Sequence, residues 1–313
     1  MPWHLVLHNC GGDWLTAANP GVPSTAAARR RQAPHGKDSM AYDLIAFDMD
    51  GTLLDTEKRV LPSTIEAIHA ATSAGKVVAI ATGRSPSMVL PYRDLLPDVP
   101  YAICTSGAHL LDLHQDSLLA ERAFDPAVIP QLLHTHQGKD VMLEIFSGTE
   151  AYDPAGSFDH LERYGLEEFH DTFVRVCHEV DDIEGWVLSH ASVIAKYIVH
   201  PVVGEDACDV LDRIRERRIP VEAAFSQANS LELSPKGVSK GSALQELCAL
   251  LDVPVERSIA VGDSGNDLEM LCAAGLGIAM GNASPDVVDA SDVTVADNNH
   301  GGCAEAVYDY LLS

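Results

Sequence analysis

Phe47-Asp48-Met49-Asp50-Gly51-Thr52 decides the fold, because it follows without a break on the apolar run Leu44 to Phe47. A short apolar run ended by turn residues reads as a strand buried on both faces, the form that strands take in a parallel sheet. Working outward, Val77 to Ala81, Ala102 to Cys104, Ile259 to Val261 and Leu276 to Met280 repeat the pattern, with amphipathic stretches between them. Pro62 opens one such stretch, Ile65, Ile68 and Ala71 or Thr72 share its face, and Gly75 closes it. Leu244, Leu247 and Leu251 form a second stripe, and Leu268 and Leu271 a third that stops at Gly275. Strands alternating with helices predict βαβ units, hence an α/β fold with a doubly wound, Rossmann-like parallel-sheet core.

Between about Phe124 and Ser226 the texture changes to longer polar stretches, with strand candidates at Val141 to Phe146 and Val193 to Val199. The expected organisation is a core of residues 40–123 and 227–313 that resumes its sheet at Leu231 to Leu233, with an α/β domain, 124–226, inserted into it as a mobile lid. Residues 1–39 contain Pro20, Pro23, Arg29 to Arg31 and Pro34 but no apolar period, and Met40 directly precedes the first strand. They read as a disordered extension or a start-site artefact; a signal peptide would carry its charge ahead of its apolar stretch.

Composition narrows the function. No apolar run approaches the ~20 residues that cross a bilayer, so no membrane association is expected. With 46 acidic and 21 basic residues, a formal charge of −25, the chain repels polyanions, and nucleic acid is excluded as a partner. Cys10, Cys104, Cys177, Cys208, Cys248, Cys272 and Cys303 contain no CxxC pair, which predicts reduced thiols and a cytoplasmic location. His134, His136, His160 and His170 match no ligand spacing and read as solvated surface residues. A monomer or weak homodimer is expected.

Ligands of doubly wound sheets bind at the carboxyl ends of strands, where Asp48 and Asp50 arrive. On extended backbone the two side chains point the same way, and convergent carboxylates repel unless a cation lies between them. Gly262-Asp263-Ser264-Gly265-Asn266-Asp267 follows another apolar strand and brings Asp263 and Asp267 to the same edge. An oxygen-only cluster of this kind suits Mg²⁺, which is held by one or two carboxylates together with a substrate phosphate. The acidic field would repel a phosphate ester, so local cations and donors are required. Thr82-Gly83-Arg84, opening a helix after Val77 to Ala81, offers a hydroxyl and N-terminal amides. Ser239-Lys240-Gly241 opens another helix and offers an ammonium near Asp48; Lys236, in the preceding turn, is the rival lysine.

DMDGT at 48–52, ATGR at 81–84, SKG at 239–241 and GDSGND at 262–267 resemble, in order and spacing, the four motifs of the haloacid dehalogenase-like hydrolase superfamily, in particular its Cof-type branch with a large α/β cap. The resemblance covers about residues 42–313. It implies that Asp48 attacks phosphorus and binds Mg²⁺, that Asp50 is the general acid/base and a metal ligand through its backbone carbonyl, and that Asp263 is a direct ligand. It further implies that Thr82, with Gly83, and Lys240 bind the phosphoryl group, that Asn266 holds the substrate phosphate, and that Asp267 supports the metal or orients Lys240. Asn282 matches a position near the pocket. Thr105-Ser106-Gly107 departs from the branch, which often has asparagine before the glycine. The reaction expected is hydrolysis of a small phosphate monoester, such as a sugar phosphate, nucleotide or phosphorylated cofactor, through an aspartyl-phosphate. A phosphomutase or phosphotransferase, and a silent binding protein on the same fold, stay open alternatives.

Overall fold

The computed structural model describes residues 41–205, 207–226 and 230–313. The reading of residues 1–39 as an extension lies outside the described residues. Five strands appear where continuous apolar runs place them: β1 (Leu44–Phe47), β2 (Val77–Ala81) and β3 (Tyr101–Cys104), and late in the chain Ser258–Gly262 and Leu276–Ala279. Two antiparallel strands, β4 (His109–Asp112) and β5 (Ser117–Glu121), extend the sheet beyond β3.

The second sheet holds β6 (Val141–Ser147), β7 (Glu150–Pro154), β8 (Cys177–Val180), β9 (Ile194–Pro201), β10 (Val221–Phe225) and β11 (Leu231–Pro235), in the order β10-β11-β9-β6-β7-β8. Leu231 to Leu233 therefore do not resume the first sheet. β11 pairs antiparallel with β9 and β10, and the chain leaves the cap sheet only after Pro235. The physical reason is in the residues: Glu232 between Leu231 and Leu233 alternates polar with apolar, whereas strands of the parallel sheet are apolar throughout.

With the remaining strands β12 (Ser258–Gly262), β13 (Leu276–Ala279) and β14 (Val293–Thr294), the first sheet has the order β14-β13-β12-β1-β2-β3-β4-β5. β1 lies between β12 and β2, parallel to both. Successive residues of these strands feed opposite cores: Ile45, Phe47, Val78, Ile80, Ile259 and Val261 pack on one face, and Leu44, Ala46, Ala79, Ala81 and Ala260 on the other. The order turns back at β1, and such a switch point is where a doubly wound sheet opens a crevice.

Two local readings change. The helix after β2 is one turn, Pro86–Val89, so Thr82, Gly83 and Arg84 lie in the turn ahead of it and do not open it. Pro86, at the first helical position, fixes that later start. Cys104, Cys177, Cys248 and Cys303 are free thiols. Among the described residues no helix is long and apolar enough to cross a membrane.

His134, His160 and His170 are exposed, but His136 is buried in the cap against Tyr197, whose hydroxyl lies 2.6 Å from Nε2. Burial, assisted by the Arg213 charge, lowers its pKa from 6.5 to about 4. The unfolded chain therefore binds a proton between those values that the folded chain does not, and this group makes stability fall as pH drops from about 6.5 toward 4. Thermal melting from pH 7 to pH 5 should show a shallower loss of Tm in His136→Gln than in the parent protein.

Candidate active site

β1 pairing ends at Phe47, and the chain turns at once: the Leu53 amide donates to the Asp48 carbonyl and the Leu54 amide to the Met49 carbonyl. The alternation expected to align Asp48 with Asp50 is broken there, and the two carboxylates part. Asp48 turns inward, 4% exposed, where Lys240 Nζ donates to its Oδ1 over 2.6 Å. Asp50 accepts two bonds from Arg84, Nε to Oδ2 at 2.7 Å and Nη2 to Oδ1 at 2.8 Å, and one from Lys58 Nζ at 3.0 Å. Of the four aspartates expected at this edge, Asp50 has its side chain set apart by these cationic partners. The carboxylates that gather, with ligand oxygens within 4.8 Å of one another, are Asp48, Asp263 and Asp267.

Asp263 follows β12 and reaches across the seam with β1, where Thr52 Oγ1 donates to its Oδ1 at 2.8 Å. Gly51 makes room for it with a φ of +83°, and any Cβ there would collide with the Asp263 carboxylate. Asn282 secures the same turn: its Nδ2 donates to the Gly51 carbonyl at 2.8 Å, and its Oδ1 accepts from the Asn298 amide.

Lys240 begins the helix Lys240–Leu250, which Ser239 caps through a capping box with Ser242. Its ammonium, 1% exposed, also donates to Asp267 Oδ1 at 2.6 Å and to Asn266 Oδ1 at 3.3 Å. Burial works against the charge, yet Asp267 and Asp48 outweigh it and hold the lysine firmly cationic. Lys236 is exposed and out of contention. The second Asp267 oxygen accepts from the Asp263 and Ser264 amides, both at 3.0 Å. Of the two roles implied for Asp267, orienting Lys240 fits these partners.

Two carboxylates clamp one ammonium, and a third, that of Asp263, lies beside them. Burial raises Asp48 well above the usual carboxylate range, with Asp267 adding to the rise and Lys240 opposing it. Burial followed by Asp267 likewise pushes Asp263 up to about 7. The donor set is all oxygen and carries excess negative charge, so the residues present fit a hard divalent cation. Asp50 is the opposite case: burial opposes ionisation, but the Arg84 and Lys58 bonds and charges prevail and hold it well below the usual range.

The two loops beside this cluster are laced together. Thr82, 1% exposed, accepts from the Arg84 amide through Oγ1 and from the Ser106 amide through its carbonyl. The Gly83 carbonyl accepts from Lys196 Nζ of β9 at 2.9 Å. Sequence reasoning missed Lys58, Lys196 and Glu232 as site neighbours, and gave Arg84 no role toward Asp50. Long-range folding brings in Arg84, Lys196 and Glu232, whereas Lys58 sits only eight residues after Asp50.

Residues 45–307 match the family described as haloacid dehalogenase-like hydrolase. The chain belongs to that family. The resemblance to its Cof-type branch holds, and so does the expectation of a phosphoric monoester hydrolase. It is 28% identical over 300 residues to the pyridoxal phosphate phosphatase YbhA of Escherichia coli (strain K12), covering 87% of this chain and 100% of that protein. With an HMP-PP phosphatase of Serratia proteamaculans (strain 568) it shares 31% identity over 250 residues, 78% of this chain and 85% of the relative. A haloacid dehalogenase-like hydrolase from Bacteroides thetaiotaomicron superposes with a TM-score of 0.69 at 25% identity, covering 86% of this chain and 99% of its own.

Gly51→Ala tests the seam at Asp263. The added methyl should displace that carboxylate and lower kcat about 100-fold, the usual scale for an ångström-sized misplacement. Steady-state kinetics alongside circular dichroism checks this; a folded variant with parental kcat would refute it.

Proposed function

We propose that this hydrolase is a Mg²⁺-dependent phosphatase of small phosphate monoesters that works through an aspartyl-phosphate on Asp48. The observation that carries the reading is the Asp48 carboxylate, bonded at 2.6 Å to a buried ammonium that Asp267 holds from behind. Lys240 and the Asp263 cluster meet where a strand-end carboxylate can approach phosphorus in line.

In the first half-reaction an Asp48 oxygen bonds to phosphorus, the ester P–O bond breaks, and Asp50, protonated only once Arg84 and Lys58 release it, gives that proton to the departing alkoxide. In the second, Asp50 takes a proton from water as its oxygen attacks phosphorus, the bond to Asp48 breaks, and inorganic phosphate leaves. The observed pairing of Asp50 with Arg84 and Lys58 favours the carboxylate, the form that removes the proton from water. Lys240 neutralises charge growing on the phosphoryl oxygens without moving a proton, with Thr82, Gly83 and Asn266 as further phosphate contacts. Asp48, Asp263 and the Asp50 main chain would hold Mg²⁺, which supplies neutralisation of the oxygens around phosphorus. Relatives that include a pyridoxal phosphate phosphatase support a small phosphorylated molecule as substrate. Release of inorganic phosphate with water as the sole acceptor distinguishes this reading from a phosphotransferase.

Two experiments test it. Activity should disappear on exhaustive chelation, return with Mg²⁺, and fall when Ca²⁺ competes, because Ca²⁺ takes more ligands at longer distances; full activity in chelator would refute the metal requirement. For the two aspartates, rapid acid quench from an aryl phosphate followed by mass spectrometry should find no phosphorylated peptide in Asp48→Asn. Asp50→Asn should lose roughly 10²–10⁴-fold in turnover while acyl phosphate accumulates on Asp48. A phosphorylated Asp48→Asn protein would assign the nucleophile elsewhere.

A further inference from the structure

Lys196 is an ammonium on cap strand β9 that is 1% exposed and spends its three donors on three protein acceptors: the Gly83 carbonyl at 2.9 Å, Ser106 Oγ at 3.0 Å, and Glu232 Oε2 of β11 at 2.7 Å. Ser106 Oγ also donates to Glu232 at 3.2 Å. Burial raises the Glu232 pKa, but the charge and hydrogen bond of Lys196, together with a Ser226 hydrogen bond and the Lys240 charge, outweigh it and lower the pKa below the usual glutamate value. One cap ion pair thus grips both core loops, the one after β2 and the one after β3.

The second of these loops is strained. Thr105 and Ser106 both have φ of +54°, and Gly107 follows at +104°. For a β-branched threonine this is an outlier, a conformation that persists only where the surrounding structure holds it. The strained loop also supports the site: the Ser106 amide bonds to the Thr82 carbonyl, and Gly107 backs so closely on Ser239 that a Cβ would strike its carbonyl, just ahead of Lys240. Docking the cap needs none of this charge, since Ala108, Ala195 and Val238 already pack at the same junction. A desolvated ammonium is costly, and an apolar side chain of similar volume would serve docking at least as well.

We propose that Lys196, paired with Glu232, is a positioning residue: when the cap is seated it braces the loops carrying Thr82 and Lys240, so that the phosphoryl-binding groups are in register only under the closed cap. The inference rests on the reading of Thr82 and Lys240 as phosphoryl-binding groups.

The test uses full-length protein with Mg²⁺ and an aryl phosphate, whose small leaving group offers the cap little to bind. Lys196→Met should lower kcat about 10–100-fold, weaken inorganic phosphate binding measured by calorimetry, and leave Tm within a few degrees. Lys196→Arg should recover part of the loss. In a double-mutant cycle, Lys196→Met and Ser106→Ala together should cost little more than Lys196→Met alone, because both break one path. Should Lys196→Met fail to fold, Ser106→Ala and Glu232→Gln carry the same kinetic and binding readouts. A folded Lys196→Met protein with parental kcat and phosphate affinity, or fully additive losses in the cycle, overturns the brace. A parental enzyme that releases no phosphate from any ester refutes the phosphatase reading instead, and calorimetry of inorganic phosphate then decides the brace alone.

Discussion

The clamp of Asp48 and Asp267 on the Lys240 ammonium is the constraint around which the site is arranged. A buried charge requires partners on every side, and removing one partner of such a pair commonly costs about 3–5 kcal/mol. The backbone is shaped to permit it. Gly241 lies so close to the Glu269 carbonyl that a side chain would collide with it, which lets the lysine-bearing helix approach Leu268–Ala273. Gly262 leaves the space that the Asp267 side chain occupies beside the end of β12. The helix that presents Lys240 and the turn that presents Asp267 are therefore fixed together.

Two residues apart in sequence, Asp48 and Asp50 occupy opposite electrostatic surroundings. Asp48 faces other carboxylates and is pushed toward protonation, whereas Asp50 faces Arg84 and Lys58 and is held ionised. Lys58 adds a link to the cap, since its ammonium lies 4.9 Å from the centre of the Phe169 ring. Through Lys58 the Asp50 carboxylate is thus linked to the cap, while Asp48 is bonded to the core lysine.

What could be read from the sequence was whatever depends on local pattern. Continuous apolar runs located β1, β2, β3, β12 and β13, strand-end placement located Asp48, Asp263 and Asp267, and a helix start located Lys240. β11 was assigned to the wrong sheet because a run of leucines was weighed above the glutamate that interrupts it. The common aim of Asp48 and Asp50 was misjudged because strand alternation was carried beyond Asp48, whose amide makes the last bond to β12. Lys196 gave no local signal: its partners Gly83 and Ser106 lie 113 and 90 residues away, and only the pairing of two sheets brings them together. His136 was read as solvated because burial depends on the Tyr197 side chain, 61 residues on.

The central seam of the core joins β1 to β12, and the bond across it from Thr52 to Asp263 spans 211 residues. During synthesis the first strand must wait, with a strongly apolar edge unpaired, until the whole cap and the helix after it have been made. Contacts of this range close slowly, because loop entropy is lost before the pairing repays it. The cap sheet, whose strands all lie between those partners, can assemble meanwhile. The nascent chain is thus exposed to aggregation at Leu44 to Phe47, the same apolar run that later delivers Asp48 to the carboxylate cluster.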